Sequence, residues 1–498
     1  MAEVISEAGW RAAAGSVELP CRPFLDGAFR DPHDGEWFDN ISPIDGRSQG
    51  RVASGRAADI ERAVAAARRA QPRWAGLDPA ERKAALLRFA DEIDNHAERL
   101  ALAETLDVGK PIANTTAVDA PATADTFRWY AEAVDKRYGE LAPTPGQRTA
   151  LITREPLGVV GAVVPWNYPS LILSWKCAPA LAAGNSVVVK PAEQSPRSAL
   201  VIAEAARAAG IPDGVFNVVP GFGETAGQAL GRHLDVAKVA FTGSAPVGRL
   251  FQKYAGESNG KQVSVEAGGK SANLVLADAE DLQRIAEAVC WGIFYNVGQT
   301  CNAGSRLVVH ESLAEDLLAR IQRFARETFV PGDPLDPATR FGAVADAAQL
   351  EKVLGFIEKA KGSCSLRFGG DRVRLDSGGY FVEPTAFSDV PPDDPLAREE
   401  VFGPVLAVST FANEEEGVRL ANATRYGLAA AVWTQRLDAA HRVADQLEAG
   451  TVWVNTFDES SVITPFGGFK DSGSGRDKSL HALDAYSALK TTWINWSR

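Results

Sequence analysis

The sequence predicts an α/β protein built as two lobes, and three observations carry that prediction. From about 157 to 256, short apolar runs alternate with helical stretches, and a similar alternation resumes after about 270. Such alternation implies right-handed βαβ units and parallel sheets buried on both faces. At 498 residues the chain is also too long for one simple core.

The elements read in order as follows. VVGAVV is an apolar strand, and SWKCAPALAAG is a helix ending at Gly184. NSVVVK is a short buried strand. In SPRSALVIAEAARAAGIP, Ser195 is the expected N-cap, Pro196 takes the first helical position, and Gly210 with Pro212 stops the helix. VFNVV and KVAFTG follow as strands. Beyond 270, NLVL is a strand. The stretch Asp281 to Asn296 sets Leu282, Ile285, Ala286, Val289, Cys290, Ile293 and Phe294 on one helical face. RLVVH, PVLAVSTF, AAAVWT and TVWVN complete the second set of strands.

Two segments fit neither lobe. YGELAPTPGQRTALITREP is extended and punctuated by turns, and SALKTTWINWSR ends with Trp493, Ile494 and Trp496 in a β-like pattern. Exposed strands with apolar residues are pairing surfaces. Both segments are candidates for contacts between subunits; a hairpin plus a tail packed on its own subunit is the alternative.

Composition narrows the function. A net charge of −12 and a pI near 5.2 argue against nucleic acid and against an anionic membrane surface. Five scattered cysteines without CxxC form neither a disulfide framework nor a zinc knuckle, which suits a reducing cytoplasm. The first residues lack a signal-peptide pattern, and no apolar stretch reaches membrane-spanning length. GGKS does not complete a P-loop, because the first glycine position is Ser264. His310-Glu311 does not complete HExxH, and the six histidines suggest no metal site.

The chemistry points to Cys301 and Glu266. Cys301 lies after a helix in GQTCNAGS, flanked by Gln299, Thr300 and Asn302. Backbone donors around a loop thiol are expected to lower its pKa. Cys290 and Cys177, and by default Cys21 and Cys364, read as small hydrophobes. Glu266 stands in VSVEAGG among apolar neighbours. A thiolate forms a covalent intermediate, and a carboxylate activates the water that resolves it. Asn167, in the rigid turn PWNYP, offers an N–H to an oxyanion. Gly243 and Ser244 close a strand ahead of a helix, a placement suited to pyrophosphate. Lys190 and Glu193 end another strand, where they suit ribose hydroxyls.

Taken together, PWNYP, GNSVVVKPAE, FTGS, VEAGGKS, GQTCNAGSR, EEVFGPV and PFGGFKDSGSGRD resemble the aldehyde dehydrogenase superfamily, in the family's order and over nearly the whole chain. The resemblance implies Cys301 as nucleophile, Glu266 as general base, and Asn167 with the Cys301 N–H as oxyanion hole. It implies Lys190 and Glu193 at the adenosine ribose and Gly243 with Ser244 at the pyrophosphate. Trp166, Glu400 and Phe402 would lie at the nicotinamide end. NAD is favoured over NADP, since Glu193 would repel a 2′-phosphate. The implied fold is a Rossmann-like NAD-binding domain (20–137 and 158–268), an α/β catalytic domain (269–470) and a β oligomerisation segment (138–157 and 478–498) of a homodimer or homotetramer. The nearest resemblance is to γ-glutamyl-γ-aminobutyraldehyde dehydrogenases. Tyr168, Trp175, Phe457 and Phe466 are expected to line an apolar tunnel, and Asp458 with Glu459 to attract a cationic tail. An ω-aminoaldehyde or its γ-glutamyl derivative is the first expectation and an aromatic aldehyde the alternative. A catalytically silent scaffold is disfavoured because Cys301, Glu266 and Asn167 are all present.

Overall fold

The computed structural model describes residues 5–496. The tail beyond Trp496 and the first four residues, on which parts of the terminal expectations fall, lie outside the described residues.

The first sheet grows from the alternation around 157–256. Val159–Val163, Ser186–Lys190 and Phe216–Val218 are its first three parallel strands in sequence, followed by Lys238–Gly243 and Gln262–Ala267. Across the sheet they lie in the order third, second, first, fourth, fifth. Strand order therefore reverses between Val159–Val163 and Lys238–Gly243. At such a reversal the connections diverge to opposite faces and leave a crevice at the carboxyl ends of the strands. Antiparallel Phe24–Leu25 and Gly473–Ser474 flank this parallel core, so the chain's end returns to the first sheet.

Helix Pro169–Ala182 is buried almost all round, which explains its lack of a polar stripe. Helix Pro196–Ala208 starts with proline at its first position, as read from sequence. Ser195 occupies the N-cap position without capping, and its buried hydroxyl has no partner. Its backbone, at φ −135° and ψ 55°, departs from the extended conformation that a capping residue adopts.

The second sheet centres on Ala272–Val275, paired in parallel with Arg306–His310 on one side and Ala429–Trp433 on the other. Val405–Phe411, Thr385–Ser388 and Thr451–Val454 extend it in parallel, and Ser365–Phe368 closes one edge antiparallel. Only four residues, Gly268 to Ser271, join the last parallel strand of the first sheet to the first strand of the second. Helix Leu282–Phe294 buries its predicted apolar face against this sheet.

A third sheet sets Arg148–Pro156 between Glu140–Ala142 and Ser487–Asn495. The segments set apart in the sequence thus pair with each other inside one chain. Leu489, Trp493 and Ile494 remain exposed on the outer strand. Among the described residues no helix is long and apolar enough to cross a membrane.

Candidate active site

The crevice at the strand reversal is a real cavity of about 170 Å³, lined by Pro165, Trp166, Asn167, Thr242, Gly243, Ser244, Ala267, Gly268, Cys301, Gln349, Lys352, Glu400 and Phe402. Ser244 occupies the N-cap of helix Ala245–Gly256, which directs that helix's free amides toward the cavity end. Lys190 ends its strand and holds Glu193 in a 3.0 Å ion pair. Trp166 and Phe402 meet edge to face at 5.3 Å. Phe402 has a left-handed backbone (φ 56°), strain of the kind found where a side chain must be aimed.

The Cys301 loop is held from several sides. The chain leaves helix Leu282–Phe294 through three successive left-handed residues, Asn296, Val297 and Gly298. A β-branched valine in that region is an outlier. The Asn296 amide donates to the backbone carbonyls of Asn167 (3.1 Å) and Gln299 (3.2 Å). The Gln299 side chain accepts from the Ala345 N–H (2.9 Å) and donates to the Asn296 carbonyl (3.2 Å). The buried Asn167 amide gives one N–H to the Gln299 carbonyl at 2.9 Å. Its second N–H remains for another acceptor.

Electrostatics depart from the sequence expectation at Cys301. Burial pushes the Cys301 thiol up to about 12, and the carboxylates of Glu400, Asp458 and Glu266 push in the same direction. The Asn302 N–H offsets this only in part. The expected lowering fails because burial removes the water that would solvate a thiolate and three carboxylates add to the effect, which one backbone N–H does not outweigh. The other cysteines divide: Cys177 and Cys290 are buried, whereas Cys21 and Cys364 are part-exposed.

Glu266 is 4% exposed, so it is no surface carboxylate. Burial first, then the charge of Asp477, raises its pKa well above the usual range; Lys176 and Arg476 work against the rise. The Gly468 N–H approaches, but neither carboxylate oxygen has a full hydrogen bond. Beside it, Lys176 and Asp477 form a buried ion pair at 2.6 Å.

Glu400 accepts from the Gly269 N–H at 3.1 Å, and burial raises its pKa to about 7. Gly268 makes this close approach possible: a Cβ there would lie 1.7 Å from a Glu400 oxygen.

Among the residues expected to line a tunnel, Tyr168 bonds the Thr300 hydroxyl at 2.9 Å and carries the Lys110 ammonium 3.7 Å from its ring centre. Trp175 and Phe466 stand 5.5 Å apart. Phe457 packs on Trp453 and fills the space left by Gly292 and Gly304. Asp458 accepts from the Asn302 side chain at 2.6 Å, one residue from Cys301. Glu459 is separate from these groups: it is exposed, and its carboxylate takes the Thr456 hydroxyl.

Comparison with known proteins agrees with this geometry. The model of the aldehyde dehydrogenase family matches residues 29–492. The chain belongs to the aldehyde dehydrogenase family. It is 49% identical to the NADP/NAD-dependent aldehyde dehydrogenase PuuC of Escherichia coli, over 98% of each chain. It is 53% identical to the solved γ-glutamyl-γ-aminobutyraldehyde dehydrogenase from Burkholderia cenocepacia, with a TM-score of 0.97 over 99% of this chain and 100% of that one. A mutant P. syringae indole-3-acetaldehyde dehydrogenase, solved with NAD+ and IAA, is 49% identical with a TM-score of 0.97 over 99% and 100%.

Within this aldehyde dehydrogenase, sequence reasoning missed Gln349 and Lys352 in the cavity wall. Gln349 donates to the backbone carbonyls of Val401 (3.0 Å) and Phe402 (2.8 Å), tying helix Ala347–Lys361 to the Phe402 loop. Their spacing of three places both on one face of the helix's first two turns, a signal present in the sequence but common to most helices. Lys176 and Asp477, far apart in the chain, gave no local signal.

Proposed function

We propose that this aldehyde dehydrogenase oxidises an ω-aminoaldehyde, or the γ-glutamyl derivative of one, to the free acid with NAD. The reading rests on one observation above all: a single cavity at the strand reversal joins the nucleophile Cys301 and Asn167 to Ser244, Glu400 and Phe402. NAD suits the cavity, because Gly243 and Ser244 present a helix N-terminus to a pyrophosphate, and Lys190 with Glu193, at the end of the adjoining strand, offers groups that can bind ribose hydroxyls. When bound, that dinucleotide supplies the hydride acceptor.

This chain's residues account for the rest. The Cys301 thiol gives up its proton to water, and its sulfur adds to the aldehyde carbon. The resulting alkoxide takes the free Asn167 N–H and the Cys301 backbone N–H, donors fixed in place before the reaction. Once oxidised, the acyl group remains on sulfur as a thioester. Glu266 takes a proton from water, the hydroxide adds to the thioester, and the acid leaves as the thiol is restored. Beside Glu266, Asp477 favours the protonated carboxyl and Lys176 offsets part of that, so Glu266 is held ready to carry a proton.

The substrate class is supported by the relative whose name gives a γ-glutamyl-aminobutyraldehyde and by Asp458 beside the nucleophile. A second reading, an arylalkyl aldehyde, draws on Trp175, Phe457 and Phe466 and on the indole-3-acetaldehyde relative. Residues 20–137 and 158–268 are assigned to the NAD-binding domain, 269–470 to the catalytic domain, and 138–157 with 478–498 to subunit contacts. The exposed Leu489, Trp493 and Ile494 favour a homodimer or homotetramer. Five free cysteines fit a reducing cytoplasm.

Initial rates of NAD reduction with γ-aminobutyraldehyde, its γ-glutamyl adduct, a linear alkanal and benzaldehyde test the reading, with Cys301→Ala as control. The highest kcat/KM is expected for an aminoaldehyde or its adduct, with no turnover by the variant. Benzaldehyde in first place would overturn the substrate class; turnover by Cys301→Ala would overturn the chemistry.

A further inference from the structure

Lys478 is one of the buried cations that the catalytic steps above leave unused. It is 3% exposed, yet among the described residues its ammonium forms no ion pair. It donates to the Ser460 hydroxyl at 2.7 Å and lies 5.0 Å from the Trp175 ring centre and 5.2 Å from that of Phe466. Desolvating a lysine is costly, and a hydroxyl with two ring faces offsets only part of that cost. Ser460 follows Asp458 by two residues, and the carboxylates whose fields reach the ammonium are Asp477 and then Asp458. The lysine thus belongs electrically to the substrate side of the nucleophile.

The backbone shows that this placement is enforced. Lys478 and Ser479 are consecutive left-handed residues (φ 61° and 53°). Such strain persists only where the surroundings over-determine it. Here the Asp477 and Phe466 backbones exchange two hydrogen bonds of 2.8 Å, and the Ser479 N–H donates to the Val462 carbonyl at 2.7 Å. Asp458 is also left-handed (φ 63°) and is fixed by Asn302. Asp458 is exposed, so a solute approaching the Cys301 loop can reach it.

We infer that Lys478 and Asp458 form a compensated charge pair that makes the passage to Cys301 electrically neutral and so selects aldehydes whose tail is uncharged there. An amide-masked amine satisfies this condition; a free ammonium or a carboxylate does not. Asp458 alone would have drawn a cationic tail, as the sequence suggested. Lys478 cancels that attraction and occupies faces of Trp175 and Phe466 that would otherwise stack on substrate. This inference rests on the aminoaldehyde reading above and narrows it to N-acylated members.

The test uses aldehydes of one chain length ending in a free amine, its N-acetyl amide or a carboxylate. Each kcat/KM is normalised to the unsubstituted alkanal in the same variant. The wild type should favour the amide. Lys478→Met should raise the amine-to-carboxylate ratio, and Asp458→Asn should lower it, each by about tenfold, the scale of one partly screened charge contact. Lys478→Arg should hold the ratio within about twofold, since it keeps the charge. Unchanged ratios in Lys478→Met and Asp458→Asn, or shifts in the same direction, would overturn the inference. If Lys478→Met does not fold, Asp458→Asn decides alone, and an unchanged ratio there overturns it. If the wild type turns over amine and amide far more slowly than the alkanal, the substrate reading falls while the ratio shifts still judge the charge pair.

Discussion

Replacing Gly298 with alanine should cripple catalysis without abolishing the fold. Gly298 has φ 70°, and a Cβ there would lie 2.3 Å from the Gly403 carbonyl oxygen. Real Cβ contacts essentially never fall under 3.0 Å, so backbone must yield by roughly 0.7 Å. The left-handed conformation itself costs an alanine about 1–2 kcal/mol. With the overlap added, destabilisation should be about 2–4 kcal/mol. The displacement acts between the Cys301 loop and the loop carrying Phe402, the two walls of the cavity. A shift near 1 Å in reacting geometry costs on the order of 100-fold in rate. The assay is kcat/KM for the best aldehyde, beside a thermal melt. A loss of about 100-fold with a lowered Tm is expected. A variant within about twofold of wild type in kcat/KM and unchanged in Tm would refute the claim that this contact sets the loop.

Two other expectations concern proton balance. In protein free of dinucleotide, iodoacetamide labelling of Cys301, followed by peptide mass mapping, should accelerate about tenfold per pH unit from 7 to 9, because only the thiolate reacts. A plateau below pH 8 would contradict a thiol raised to about 12. Lys270 is buried with an unpartnered ammonium, and burial lowers its pKa to about 7. The unfolded chain therefore binds more protons than the folded one between about 7 and 10.4, and Lys270 makes stability rise with pH across that window. Lys270→Met should remove a slope on the order of 1.4 kcal/mol per pH unit, gaining most at pH 7 and little at pH 10. Melts of both proteins across pH check this; parallel pH profiles would refute it.

Much of this enzyme was legible in its residue order. The apolar runs at Val159–Val163, Ser186–Lys190 and Lys238–Gly243 became parallel strands because period and length are local properties that burial on both faces leaves intact. Cys301, Glu266 and Asn167 stood out because each sits in a short frame of turn and small residues. Strand order was not legible, since pairing depends on which crossovers pack together; only the structure showed the reversal that opens the cavity. The state of Cys301 was also beyond local reading. Its neighbours in sequence are amides, but its neighbours in space are Glu400, Asp458 and Glu266, brought from three other segments. Lys478 illustrates the same limit, because its sequence neighbours say nothing of Trp175, Phe466 and Ser460. Sequence by itself determined the chemistry-bearing groups and the elements that carry them. Tertiary structure decided their charge environment, because desolvation and Coulomb fields depend on distance through space rather than along the chain.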